Sequence, residues 1–197
     1  MTQNDANPAM CSETEIQPAI ALLELSSVAR GIEVVDAVLW EAHIEMLFAE
    51  PVQPGKYVLL FTGSVQSLTS ALRRGAEIAA ESLLGEMLIQ NVHEQVLLGL
   101  KRSGKINGTL DALGVIETTT VASAIMAADV ALKASTIDML ELRIANGLGG
   151  KSFFTMTGEV SDVRSAVMAG SASASSTGNL VRDVVIPRPH DDLVRHL

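Results

Sequence analysis

The sequence predicts an α+β fold built from two similar units in series, and three observations carry that expectation. The first is an internal repeat. Residues 19–79 are echoed by residues 112–174. Glu24, Val28, Ile32, Asp36, Leu39, Ile44 and Met46 recur as Glu117, Val121, Ile125, Asp129, Leu132, Ile137 and Met139, each 93 positions later. Gly55-Lys56, Thr62-Gly63 and Gly75 recur as Gly150-Lys151, Thr157-Gly158 and Gly170, each 95 positions later, so the second copy gains two residues just before its Gly-Lys. A period near ninety is too long for a solenoid and suits a duplicated small domain. The second observation is that short continuous apolar runs alternate with stripes stepped by three and four, the marks of buried strands and amphipathic helices. The third is that only 3% of residues are aromatic. A core of Ala, Val, Ile, Leu and Met suits thin, closely packed layers.

Each element follows from local sequence. Residues 1–17, rich in Asn, Gln, Glu and Thr, are expected to form a flexible leader. The first domain is placed at 18–102. Its opening run 19–25 (AIALLEL) predicts a strand buried on both faces. Ser26 or Ser27 can cap the helix that follows. There Val28, Ile32, Val35 and Leu39 step by four, three and four, so they share one face, expected to point inward. Residues 44–49 predict a second strand. In 51–56 (PVQPGK) two prolines remove backbone donors and break regular structure. Residues 57–62 predict a third strand, 65–83 a helix and 86–92 a fourth strand, with a short helix after His93.

Lys101 to Thr109 (KRSGKINGT) is basic and turn-forming, and the linker is placed at 103–110. The second domain, 111–197, replays the pattern. Strands are expected at 112–118, 137–144, 153–157 and 180–186. Helices are expected at 120–135, with Val121, Ile125, Ala128 and Leu132 inward, and at 160–175. Residues 145–150 form a loop, and Pro187-Arg188-Pro189-His190 reads as a stiff, extended tail. The order β-α-β-β-α-β in each half predicts a ferredoxin-like antiparallel sheet with helices on one face. Two such units in one chain make a pseudo-twofold brick for symmetric assembly.

Composition narrows the partners. A net charge of −9 leaves no basic stripe to neutralise phosphates, so nucleic acid is not an expected partner. No apolar run reaches the length of a membrane span, and residues 1–18 lack the basic-then-apolar pattern of a secretory signal. Cys11 is the one cysteine and has no partner for an internal disulfide, which favours a reducing compartment.

Catalytic and metal motifs are missing. His43, His93, His190 and His196 stand at no metal-ligand spacing. His93 and His190 occupy matching places after the last strand of each half, which points to structure or interface. Glu24 and Glu117 close the first strand of each half. Their duplication in an apolar run favours structural hydrogen bonding over acid–base work. Gly147-Leu148-Gly149-Gly150-Lys151 lacks the spacing of a phosphate loop and lies between strands. No catalytic, cofactor-binding or metal residue is assigned, and the chain is not expected to be an enzyme.

Several segments together resemble one family. They are Leu23 to Gly31 (LELSSVARG), Pro54-Gly55-Lys56-Tyr57, Leu113 to Thr118 (LGVIET), Gly149-Gly150-Lys151, Thr157 to Val160 and Val185 to His190 (VIPRPH). The chain resembles the bacterial microcompartment shell proteins over residues 18–196, and both halves resemble the shell domain. It is most similar to the tandem, trimer-forming class of the propanediol-utilisation type. The resemblance implies a structural tile in a shell within the bacterial cytoplasm. It implies a pseudohexagonal homotrimer that partners other shell proteins and carries a central pore for small polar metabolites.

By family position the pore is lined by Val52, Gln53, Pro54 and Gly55 from one half and by Asn146, Gly147, Leu148 and Gly149 from the other. Glycines there leave backbone groups at the constriction without side-chain bulk, and they suit tight turns equally well. Members of this class that carry a cysteine before Pro-Gly-Lys hold an iron–sulfur cluster on the axis. Gln53 stands at that position, and an amide does not replace a thiolate, so neither cluster nor cofactor is expected. Lys133, Arg188 and His190 are expected at the tile edge. The first half has Trp40 in place of Lys133 and Gln90-Asn91 near the place of Pro187-Arg188, so two kinds of edge are expected. The alternative is a trimeric ferredoxin-like regulatory protein that binds a small ligand between its halves.

Overall fold

The sheet of each half is laid down by its opening strand. In the computed structural model, which describes residues 19–100, 110–144 and 148–196, Ala19–Leu25 (β1) has all seven residues buried. The chain continues as Val28–Glu41 (α1), Ile44–Val52 (β2), Lys56–Gly63 (β3), Val65–Ala79 (α2), Leu83–Ile89 (β4) and Glu94–Leu100 (α3). The second half follows with Ala112–Thr118 (β5), Val121–Ala134 (α4), Asp138–Ile144 (β6), Ser152–Gly158 (β7), Val160–Ser176 (α5), Leu180–Pro187 (β8) and Asp191–Val194 (α6). The expected leader 1–17 with Cys11, linker residues 103–109 and the loop residues Ala145, Asn146 and Gly147 lie outside the described residues.

The two sheets have the same topology, β2-β3-β1-β4 and β6-β7-β5-β8, with every neighbouring pair antiparallel. This is the expected ferredoxin-like order twice over. Even the irregularities are duplicated. The register shifts between Met46 and Phe48 in one half and between Met139 and Glu141 in the other.

The helices begin where the sequence places caps. Ser27 and Thr120 each accept a hydrogen bond from the backbone N–H three residues on, in α1 and α4. Helix α1 sits close on β3 because Gly31 has no side chain. A Cβ there would lie 2.3 Å from Tyr57 Cγ. Leu23, Leu25, Val34, Val38, Leu68 and Leu72 form the core between the first sheet and its own helices. A second, larger cluster joins Ile20, Leu22, Leu60 and Met87 of the first half to Val121, Ile125 and Leu132 of α4. The first sheet is therefore covered on one face by α1 and α2 and on the other by the second half.

Four expectations are corrected. The stripe Val28, Ile32, Val35 and Leu39 is not the face centred on its own core: Val28 and Val35 pack only at the margin of that core. Gly31, Val34 and Val38 form that face, while Ile32 is 58% and Leu39 49% exposed. Strand β2 runs on through Pro51, because an edge strand can spare the donor that proline lacks. Helix α2 stops at Ala79. Ala80, at φ 46°, turns the chain through a short 3-10 turn, Ala80–Ser82, so β4 starts early. The tail is not extended either. Pro187 ends β8, Arg188 adopts φ 50°, and His190 caps α6.

Candidate functional site

The structure concentrates its polar chemistry along the seam between the halves and at the turns beside it. Glu24 is the centre. Its carboxylate is fully buried, accepts from Lys56 Nζ at 2.7 Å, and accepts from the backbone N–H of Val121 at 3.2 Å. One side chain thus ties together β1, the start of β3 and the first turn of α4. Helix N-terminal N–H groups lack intrahelical partners and carry partial positive charge, so a carboxylate suits them. Burial of the charge is tolerable because both oxygens are bonded.

The other end of α4 is held in the same way. Asp129 accepts from the His93 N–H at 2.8 Å and from Lys133 Nζ at 2.6 Å, and Lys133 also donates to the Asn91 carbonyl. Gln95 in α3 accepts from the Met139 N–H at 2.7 Å. Apart from the Asp129–Lys133 pair within α4, these bonds are not local in sequence; the identity of Glu24 with Glu117 and of Asp36 with Asp129 across the repeat was the one signal pointing to them.

The repeat equivalents of this seam are open. Leu22, opposite Leu60 and Met87, is buried beneath α4. The matching row in the second sheet is Val115, Thr155 and Val184. Val115 is half-buried, Val184 is exposed, and the buried Thr155 hydroxyl has no hydrogen-bond partner among the described residues. Glu117 binds Lys151 at 3.0 Å and is 35% exposed, whereas Glu24 is fully buried. Val28 and His190, the counterparts of Val121 and His93, donate their backbone N–H to nothing among the described residues. Asp36, the counterpart of Asp129, is exposed. Trp40, the counterpart of Lys133, is 85% exposed.

The turn residues expected at a pore fall into one neighbourhood. Gln53, Pro54 and Gly55 form an exposed turn after β2, closed by Gly55 N–H to the Val52 carbonyl at 3.0 Å. Gly55 has φ 108°, a conformation a side chain would strain. Val52 itself turns its side chain into the core. Leu148 and Gly149 lie in the corresponding turn of the second half, closed by Lys151 N–H to the Leu148 carbonyl at 3.2 Å. The two turns touch. A Cβ on Gly150 would lie 3.0 Å from Pro54 Cδ and 3.5 Å from the Gln53 carbonyl oxygen. An iron–sulfur cluster at this turn does not fit. Gln53 offers only an amide, and the chain's single cysteine is Cys11.

The expected edge residues are less closely grouped. Lys133, with 41% of its side chain exposed, lies at the intrachain seam. Arg188 is exposed, and its backbone N–H donates to the Asp111 carbonyl at 2.8 Å. His190 is exposed, and its Nδ1 accepts from the Asp192 N–H at 3.1 Å. No hydrogen bond or ion pair joins Lys133 to Arg188 among the described residues.

Two like domains joined by a seam of buried polar bonds, with the matching residues of the repeat left exposed, define a tandem two-domain protein. The chain belongs to the BMC-domain family of bacterial microcompartment shell proteins; the BMC domain matches it twice, over residues 19–92 and 112–189. It is 37% identical over 179 residues to the bacterial microcompartment shell protein PduT of Citrobacter freundii, covering 91% of this chain and 97% of that protein. The shell protein EutM of Salmonella typhimurium is 37% identical over 84 residues, 43% of this chain and 85% of that shorter protein. A crystal structure of a microcompartments protein from Desulfitobacterium hafniense DCB superposes with a TM-score of 0.82 at 46% identity, covering 91% of this chain and 99% of that one. A fused permuted hexameric shell protein shares the fold, with a TM-score of 0.58 at 21% identity. The chain is accordingly a structural component of a microcompartment shell in the bacterial cytoplasm, not an enzyme.

Proposed function

We propose that three copies of this chain close into a pseudohexagonal homotrimer that tiles a microcompartment shell facet, with a pore on its threefold axis for small polar metabolites. One observation carries this reading. The α4 stripe Val121, Ile125, Ala128 and Leu132 is buried in the core shared with the first sheet. In the equivalent α1 stripe Ile32 and Leu39 are exposed and Val28 and Val35 only half-buried, and on the matching row of the second sheet Val115 is half-buried and Val184 exposed. An interface between unlike surfaces repeats head to tail until it closes. Each chain supplies one finished seam and the two halves of another, and with the copy number of the trimer-forming class, three chains complete a ring of six domains with two alternating seams.

The touching turns support the pore. A threefold axis at that corner gathers three copies of Gln53, Pro54 and Gly55 with three of Leu148 and Gly149. Asn146 and Gly147 join them by family position. Backbone groups and the Gln53 amides then supply a polar lining with little bulk and no iron–sulfur cluster. Lys133, Arg188 and His190 are placed at the tile edge, where the seams between domains reach the rim, and Trp40 in place of Lys133 makes a second kind of edge. Alternation of the two favours a mixed facet with other shell proteins. The ligand-binding regulatory alternative is not favoured by the family.

Negative-stain microscopy of the pure protein tests this. Hexagonal particles with threefold symmetry and a central opening are expected, and sheets at higher concentration. Lys133→Ala is expected to weaken the sheets and leave the particles. Single-chain particles throughout would overturn the reading.

A further inference from the structure

The finished seam inside the chain and the open one at its ends keep the same carboxylates, Glu24 and Asp129 in one and Glu117 and Asp36 in the other, but differ in their cation, and that difference has its own chemistry. Within the chain, the cation comes from a helix: Lys133 on α4 donates to the Asn91 carbonyl at the turn after β4. At the open seam both positions are changed. The helix position is Trp40, and the turn position matching Asn91 is Arg188. Cation and acceptor have exchanged sides. Building on the trimer reading, we infer that Arg188 of one chain lies across the indole of Trp40 of the next, so that a cation–aromatic contact locks each seam between chains.

Several observations agree. Trp40 is 85% exposed in the single chain, an unusual setting for the only tryptophan of a protein poor in aromatics. Arg188 is exposed and has no ion-pair partner among the described residues. Its φ of 50° fixes the turn, and the Asp111 carbonyl anchors its backbone, so the direction in which the side chain leaves the backbone is set by the fold. The planar guanidinium stacks on aromatic faces in a way an ammonium does not, which accounts for arginine here and lysine at the other seam. The neighbouring bonds transpose without change. Glu117 accepts the free N–H of Val28 as Glu24 accepts that of Val121, and Asp36 accepts the free N–H of His190 as Asp129 accepts that of His93.

The sole tryptophan makes the test direct. Emission and acrylamide quenching are read on full-length trimers, whose mass is verified by sedimentation. Arg188→Ala is expected to move Trp40 emission to longer wavelength, increase its quenching, and raise the concentration at which trimers dissociate about fivefold. Arg188→Gly, which accepts φ 50° without strain, guards against a folding defect and is expected to act alike. Arg74→Ala, removing an exposed arginine paired with Glu77 on α2, is the control and should change nothing. Trimers in which both Arg188 variants leave emission and quenching unaltered would overturn the contact while the trimer stands. A chain that never forms trimers would overturn the trimer reading, and the contact with it.

Discussion

At the scale of single residues, Glu24 decides the most. It is a buried carboxylate bonded to one cation and one helix N-terminus, and both partners lose their acceptor when it is truncated. Glu24→Ala is therefore expected to lower unfolding stability by about 3–5 kcal/mol, as removal of one member of a buried pair does. Glu117→Ala, at the partly exposed equivalent, is expected to cost the isolated chain less than about 1 kcal/mol. Denaturant titration of the two variants side by side checks the contrast. Gln53 carries the other prediction at this scale. Anaerobically purified protein should hold no stoichiometric iron or sulfide, and finding both would refute the argument from the amide. Glu24 and Glu117 were legible in the sequence as a structural pair, because both copies keep them. That Glu24 reaches the Val121 N–H was not, since 97 residues separate them and no local pattern records the meeting.

Secondary-structure elements show where sequence reading succeeds and where it stops. Strands β1 and β5 fall on the expected residues, because an unbroken apolar run admits few other readings. Helix α4 buries all four of its expected positions. Helix α1 has the same stripe but leaves Ile32 and Leu39 exposed and Val28 and Val35 half-buried. Each helix carries two apolar faces: Gly31, Val34 and Val38 against its own sheet, matching Ala124, Ala127 and Ala131, and a second stripe for the neighbouring domain. Hydropathy weights the second stripe more heavily, since Gly31 contributes nothing to it, yet close approach to Tyr57 makes Gly31 the contact point. Periodicity identifies both faces but not which sheet covers which. A matched pair of substitutions tests this. Ile125→Glu places a charge in a dry core and should cost more than about 4 kcal/mol. Ile32→Glu should leave the thermal melt of the single chain within about 1 kcal/mol of the parent and abolish trimers. Circular dichroism with sedimentation reads both outcomes. An equal loss of fold in the two variants would remove the distinction between the faces.

For the whole molecule, the repeat gives a chain that contains one complete seam between its domains and, on the proposed trimer, two halves of a second. Family membership explains why the domain exists; the asymmetry between the copies explains how this chain uses it. Trp40 replaces the counterpart of Lys133, and Arg188 that of Asn91, while Glu24 and Asp36 were kept. A ring of three such chains alternates two kinds of seam and two kinds of edge, which six identical domains do not. The account rests on the open α1 stripe being covered by the second sheet of another copy. Native mass spectrometry of the full chain at micromolar concentration tests this most directly. The account predicts a dominant species with the mass of three 20.8 kDa chains. A dominant single-chain or two-chain species would contradict it.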